Sequence, residues 1–189
     1  MYKAIVIGTS AGGLEALKVV LSQIELVTIP IIIVQHLSPR HASILPQILS
    51  QYTHHRVKEA DEKESISDNM IYVAPSNYHL LIEKNRTFSL TTEARVSYAR
   101  PSIDVTFETA SDAYGEDLIG VILTGANHDG ARGIDSIKVK GGYTLIQDPL
   151  TAYAPEMPSF AIEAIQANFV GDLPSIGKHL NNLMRRRND

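Results

Sequence analysis

Ser10 is the residue of this chain whose surroundings look most like preparation for chemistry. It lies in AIVIGTSAGGLEAL (residues 4–17), where an apolar run breaks into small residues and a helix-like pattern follows at once. Gly8, Ser10 and Gly12 fit G-x-S-x-G, in which a sharp strand-to-helix turn pushes a serine hydroxyl outward. The backbone N–H groups of Ala11 and Gly12 would then lie at a helix N-terminus, where they can stabilise a tetrahedral oxyanion. Two other readings use the same residues: a phosphate cradle, and a serine that only caps the helix. The dinucleotide fingerprint fails twice, because its middle glycine is Ser10 and the second strand ends in Gln35 and His36 instead of an acid. A P-loop fails because no Gly-Lys-Ser/Thr follows the turn.

A serine nucleophile needs a base, and histidine suits that task near neutral pH. Of the seven histidines, His36 closes the buried strand that neighbours the one before Ser10. His54 and His55 in a polar stretch, and His179 on a terminal helix, read as surface residues. His41 and His79 read as loop or strand-edge residues without a task, and His128 as a bystander. The base in turn needs a carboxylate to fix its tautomer. Asp129 in LTGANHDGARG, Asp148 in QDP and Asp104 in RPSID compete for that place, and Asp129-Gly130 also reads as ordinary turn chemistry.

The elements that must position these groups alternate along the chain. AIVIG (4–8), TIPIIIVQH (28–36), LIGVILTG (118–125) and YTLIQD (143–148) are continuous apolar runs, as expected of strands buried on both faces. Helical spacing follows each: Leu14, Leu17, Leu21, Ile24; Ile44, Leu45, Ile48, Leu49; ARGIDSIKVKGG; and a helix from Pro158 through Ile165. Ile103, Phe107, Ala110 and Tyr114 mark a further helix, and SIGKHLNNLMRR an amphipathic closing one. RVKEA (56–60) reads as a short strand. MIYVAP, YHLLIE and TFSLTT read as a small antiparallel excursion, with the hairpin turn at EKNRT (83–87). The expected fold is α/β: three αβα layers around a mostly parallel, doubly wound, Rossmann-like sheet with that hairpin excursion, in one domain over residues 1–189. Such sheets gather function at the carboxyl ends of their strands, which is where Ser10, His36, Asp129 and Asp148 fall.

Composition narrows the classes. With 44% apolar and 20% charged residues the chain is globular, and a net charge of −4 argues against nucleic acid as a partner. MRRR (184–187) is the only basic run and reads as a solvated last helical turn. Without cysteine there is no disulfide, thiolate nucleophile or cysteine-held metal. No apolar stretch reaches the roughly 18 residues of a membrane span, and no signal peptide opens the chain, so a cytoplasmic protein is expected. No segment advertises an apolar interface, which suggests a monomer.

IGTSAGG, VQHL, YVAPSNYHL, RPSIDVTF, LTGANHDGARG and QDPLTAYAPEMP, in that order over residues 4 to 166, resemble the catalytic domain of the CheB family of chemotaxis protein-glutamate methylesterases. The resemblance implies a Ser-His-Asp triad of Ser10, His36 and Asp129, which places Asp129 ahead of Asp148. It implies hydrolysis of glutamate γ-methyl esters on chemoreceptors with release of methanol, with no metal or cofactor, and in some members deamidation of glutamine. Methylated receptor helices are the implied partner; the family's usual receiver domain is not in this sequence, and a separate response regulator is a candidate partner whose role the sequence leaves open. Ala11 stands where the family often has Thr, and Thr124-Gly125-Ala126-Asn127 where it typically reads T-G-M-G. Gly125 and Ala126 therefore join Ala11 and Gly12 as candidates for the oxyanion or substrate site. Arg100, before the helix of RPSID, is a candidate for steering an anionic receptor helix. The competing readings are an idle relative that serves as an interaction module in chemosensory signalling, and a nucleotide-binding Rossmann-like domain.

Overall fold

A computed structural model describes residues 1–25, 27–36 and 44–185. His41 and the arginines at 186 and 187 lie outside the described residues. In chain order the elements are β1 (Ala4–Thr9), α1 (Gly13–Ser22), β2 (Ile31–Gln35), α2 (Leu45–Leu49), β3 (Arg56–Glu59) and β4 (Met70–Val73). The hairpin strands β5 (His79–Ile82) and β6 (Phe88–Thr91) follow, then α3 (Ile103–Tyr114), β7 (Leu118–Ile122) and α4 (Ala131–Val139). The last elements are β8 (Tyr143–Gln147), α5 (Glu156–Ala164), β9 (Phe169–Gly171) and α6 (Leu173–Arg185).

Seven strands form one sheet in the order β3-β4-β2-β1-β7-β8-β9, and every neighbouring pair is parallel. β1 is central, with Ile5 opposite Ile31 on one side and Ile119 on the other. Because successive side chains point to opposite faces, each apolar run serves two cores. Ala4 and Val6 join Ile103, Phe107, Ile134 and Met157, so α3, α4 and α5 cover that face. Ile5 and Ile7 join Leu17, Leu21, Leu49 and Ile176, so α1, α2 and α6 cover the other. This double burial is why the runs carry no polar alternation.

Three details depart from the sequence expectations. β4 is a parallel strand of the main sheet and not part of the antiparallel excursion. Ile71 and Val73 pack on the α1 face while Tyr72 packs on the other, so this short run is buried on both sides like the longer ones. The sheet is accordingly wholly parallel, and the excursion contains only β5 and β6. α5 starts at Glu156, two residues before Pro158, because a proline in a first helical turn removes only an N–H that has no intrahelical partner anyway. β9 has three residues and no buried apolar run, so nothing in its composition announced it.

The hairpin packs against the α3 side of the sheet through Leu80, Ile82 and Phe88. Its turn closes where EKNRT places it, with Glu83 N–H donating to the Thr87 carbonyl. Phe88 meets Tyr72 edge to face, with ring centroids 4.9 Å apart. The chain moves from β1 to β2, β3 and β4 on one side, then crosses to β7 on the other. A crevice therefore opens at the carboxyl ends of β1, β2 and β7, the switch point of a doubly wound sheet. No helix among the described residues is long and apolar enough to cross a membrane.

Phe88→Ala removes the buried ring that ties the hairpin to β4. A loss of about 3–5 kcal/mol in unfolding free energy is expected, measured by urea denaturation.

Candidate active site

Ser10, His36 and Asp129 leave the ends of β1, β2 and β7 and meet in the crevice. The His36 imidazole presents Nδ1 to Ser10 Oγ at 3.2 Å and Nε2 to Asp129 Oδ2 at 2.8 Å. With the proton on Nε2 donated to the carboxylate, Nδ1 is left as the acceptor facing the hydroxyl. Ser10 is half-buried and the His36 side chain is 14% exposed, so both can be reached from solvent, whereas Asp129 is fully buried. Chemically, this is a hydroxyl whose proton has a base within reach, backed by an ionised group that would stabilise the resulting imidazolium.

Asp129 is held by the N-terminus of α3. Its Oδ2 accepts from Ile103 N–H at 2.7 Å, and its Oδ1 accepts from Asp104 N–H at 3.0 Å and Ser102 Oγ at 2.9 Å. Burial pushes the Asp129 carboxyl up, but the His36 hydrogen bond and the N–H groups of Asp104 and Ile103 outweigh it and leave the pKa below its ordinary value. Asp104, itself fully buried, returns the arrangement at the start of α4. Its Oδ1 accepts from Gly130 N–H at 2.9 Å and Gly133 N–H at 2.8 Å, and Arg132 Nε reaches its Oδ2 at 3.2 Å. Gly130 caps α4 at φ 103°, a conformation that favours glycine and places its N–H toward Asp104. So Asp104 receives the N-terminal N–H groups of α4 and is not the partner of His36.

The turn around Ser10 is braced from three strands. Ser10 N–H donates to the Thr124 carbonyl at 2.9 Å, and Thr9 Oγ1 donates to the same oxygen at 2.8 Å. Thr124 Oγ1 donates to the Ala11 carbonyl and accepts from Ala154 N–H, while Thr124 N–H donates to Gln147 Oε1. Gln35 Nε2 donates to the carbonyls of Ser10 and His36, both at 2.9 Å. The left-handed residue of the turn is Gly12, at φ 77°, and Ser10 keeps a negative φ, so the strain of this elbow falls two residues beyond the serine. A β-carbon at Gly12 would also stand 2.6 Å from Tyr153 Cβ.

The other candidates divide. The N–H groups of Ala11 and Gly12 take no partner among the described residues, so they remain available as donors. Ala126 is exposed on the rim, but the Gly125 N–H already donates to the Ala154 carbonyl. Arg100 is engaged in the fold: its guanidinium donates to Asn77 Oδ1 and to the carbonyls of Thr92 and Glu93. That fixes the 92–100 arm beside the site and leaves little of the group for an anionic substrate. Asp148 accepts from Leu150 N–H as the cap of a short turn. Sequence reasoning missed His79, which is buried, accepts from Ser102 N–H through Nδ1 and donates to the Ala94 carbonyl through Nε2. It also missed Asn127, whose amide stands 3.4 Å from His36 Nδ1. The Asn127 departure in the TGAN stretch was the available signal. His54 is exposed as expected, but His55 bonds the Val27 carbonyl and His179 stacks on Phe169, so these two serve packing. A cleft of about 140 Å³ beside His36 and Asn127 is walled by Arg95, Ser97, Tyr98, Arg100 and Pro101, so Arg100 does line the site. Among the described residues no cluster of three or more His, Asp or Glu could hold a metal ion.

Comparison with known proteins identifies relatives of this chain. The family model described as CheB methylesterase matches residues 5–180. A chain from Leptospira interrogans is 52% identical over 178 residues, 94% of this chain and 92% of that one. A Paraburkholderia xenovorans protein named protein-glutamate methylesterase/protein-glutamine glutaminase is 35% identical over 181 residues, 94% of this chain and 50% of that protein. The crystal structure of the Thermotoga maritima CheB methylesterase catalytic domain superposes with a TM-score of 0.91 at 30% identity, covering 97% of this chain and 99% of that one.

The depressed Asp129 pKa has a sign that can be tested. A carboxylate whose folded pKa lies below its unfolded one stabilises the fold above about pH 4 and loses that contribution as pH falls through the folded value. The stability gap between wild type and Asp129→Asn in urea unfolding is therefore expected to be widest above pH 4 and to narrow below it. A gap that widens on acidification would contradict this.

Proposed function

The chain belongs to the CheB methylesterase family, and from that membership we propose that it hydrolyses glutamate γ-methyl esters on bacterial chemoreceptors, with Ser10, His36 and Asp129 as its triad. The observation that carries the reading is the unbroken path from Ser10 Oγ through both ring nitrogens of His36 to a carboxylate kept ionised by a helix N-terminus. Relatives named for methylesterase activity support it.

In this mechanism Ser10 Oγ attacks the ester carbonyl as His36 Nδ1 takes its proton. The negative charge of the tetrahedral intermediate falls to the N–H groups of Ala11 and Gly12 at the start of α1. The carbon–oxygen bond to the methoxy group then breaks, His36 Nδ1 returns its proton to that oxygen, and methanol departs. Water, deprotonated by the same nitrogen, attacks the acyl-enzyme and frees the glutamate carboxylate and Ser10. Asp129 stays ionised throughout and stabilises the imidazolium at each stage.

The shallow cleft suits a single side chain offered by a larger molecule. Tyr98, which lines it, is 92% exposed, and Tyr153, beside Gly12 in the Ser10 turn, is 83% exposed, apolar surface on which a receptor helix can rest. The same reading places the protein in the cytoplasm, where the receptor helices it acts on lie.

Methanol release from methylated receptor signalling domains tests the proposal. Wild type is expected to release it, and Ser10→Ala to be slower by about 10³-fold or more. Equal release by the two proteins would rule out a serine mechanism.

A further inference from the structure

Asn127 is held in one orientation. Its Oδ1 accepts from Asp129 N–H at 3.1 Å, which turns its NH2 end toward His36. That Nδ2 lies 3.4 Å from His36 Nδ1, the nitrogen that Ser10 Oγ approaches at 3.2 Å. Nδ1 has a single lone pair, so two donors share it at rest. Once Nδ1 takes the Ser10 proton, it becomes a donor itself and the Asn127 amide loses its acceptor. The atom that next comes to Nδ1 is the leaving group arriving for its proton, and this atom is the one placed to receive the Asn127 hydrogen bond.

We propose that Asn127 makes the enzyme selective for esters over amides by hydrogen-bonding the leaving oxygen, an inference that rests on the methylesterase reading above. In the tetrahedral intermediate the methoxy oxygen has two lone pairs. One accepts the proton from His36 Nδ1 as the carbon–oxygen bond breaks and its electron pair moves to oxygen, and the other accepts from Asn127 Nδ2–H. An amide nitrogen at the same place has one lone pair, which the His36 proton fills, and its own hydrogens face the hydrogens of Asn127. The amide donor thus lowers the barrier for methanol release and offers nothing to ammonia release.

The test measures methanol and ammonia release as kcat/KM, which reports formation of the acyl-enzyme for both substrates. The substrates are receptor signalling domains carrying methyl-glutamate or glutamine at the same position, and long incubations at high enzyme concentration quantify the slower product. Wild type, Asn127→Ala and Asn127→Asp are compared. The aspartate variant keeps the oxygen that accepts Asp129 N–H, so it separates the donor from the turn. The methanol-to-ammonia ratio is expected to fall about ten-fold or more in both variants, the worth of one hydrogen bond. A ratio within two-fold of wild type in either variant, with both rates falling together, would assign Asn127 to support of the turn and overturn the proposal. If wild type released neither product, the methylesterase reading would fall and this inference with it.

Discussion

Two buried carboxylates exchanged between two helix N-termini hold this site together. Asp129, in the turn that leads into α4, receives the N–H groups at the start of α3, and Asp104, in the first turn of α3, receives those at the start of α4. A buried carboxylate without partners is prohibitively unfavourable, and an uncapped buried helix start leaves donors unpaired. Each defect offsets the other, in both directions at once. Charge-assisted hydrogen bonds of this kind contribute about 1.5–3 kcal/mol each, so the pair fixes how α3 and α4 meet. The group that faces His36 is therefore the same group that joins the two helices, and the chemistry of the site inherits the rigidity of that joint.

The other two members of the path are fixed from the strands. His36 N–H donates to the Thr9 carbonyl, and Thr124 gathers Thr9, Ser10, Ala11, Gln147 and Ala154 around one residue. Through these bonds the ends of β1, β2, β7 and β8 cannot slide past one another without breaking several at once. In the proposed mechanism, a hydroxyl and an imidazole on neighbouring strands then need little reorganisation to react, which is the condition under which positioned groups are most effective. The arm over the cleft is different in kind. Its tip, Ser97 and Tyr98, has positive φ at both residues without a glycine, a backbone that sits on the substrate side of the site.

Much of this could be seen in the sequence because it depends on short stretches. The continuous apolar runs identify strands buried on both faces, and their order places Ser10, His36 and Asp129 on one rim. What the sequence hid depends on distant partners. β4 looks like its antiparallel neighbours until Ile71 and Val73 are seen against α1. β9 is a strand only because β8 offers it an edge. Asp104 and Asp129 are both acids near turns, and only the fold shows which helix each one serves. His79 seemed idle because its partners, Ala94 and Ser102, come from other segments. Arg100 read as a group reaching out to a ligand, while its acceptors lie at Asn77, Thr92 and Glu93 within the protein.

Arg100 bears on how an evolutionary record of this site should be read. An arginine lining a cleft would, if invariant among homologues, usually be credited to recognition. Its planar fork here spans a side-chain oxygen and two carbonyls, an arrangement lysine cannot copy, so selection on the architecture alone would preserve it. Asn127 stands at the opposite extreme. The fold asks of it one oxygen for a turn, which several residues could supply, and drift there would trace changes in substrate more than changes in stability. At these two positions, invariance would mark scaffolding and variability adaptation.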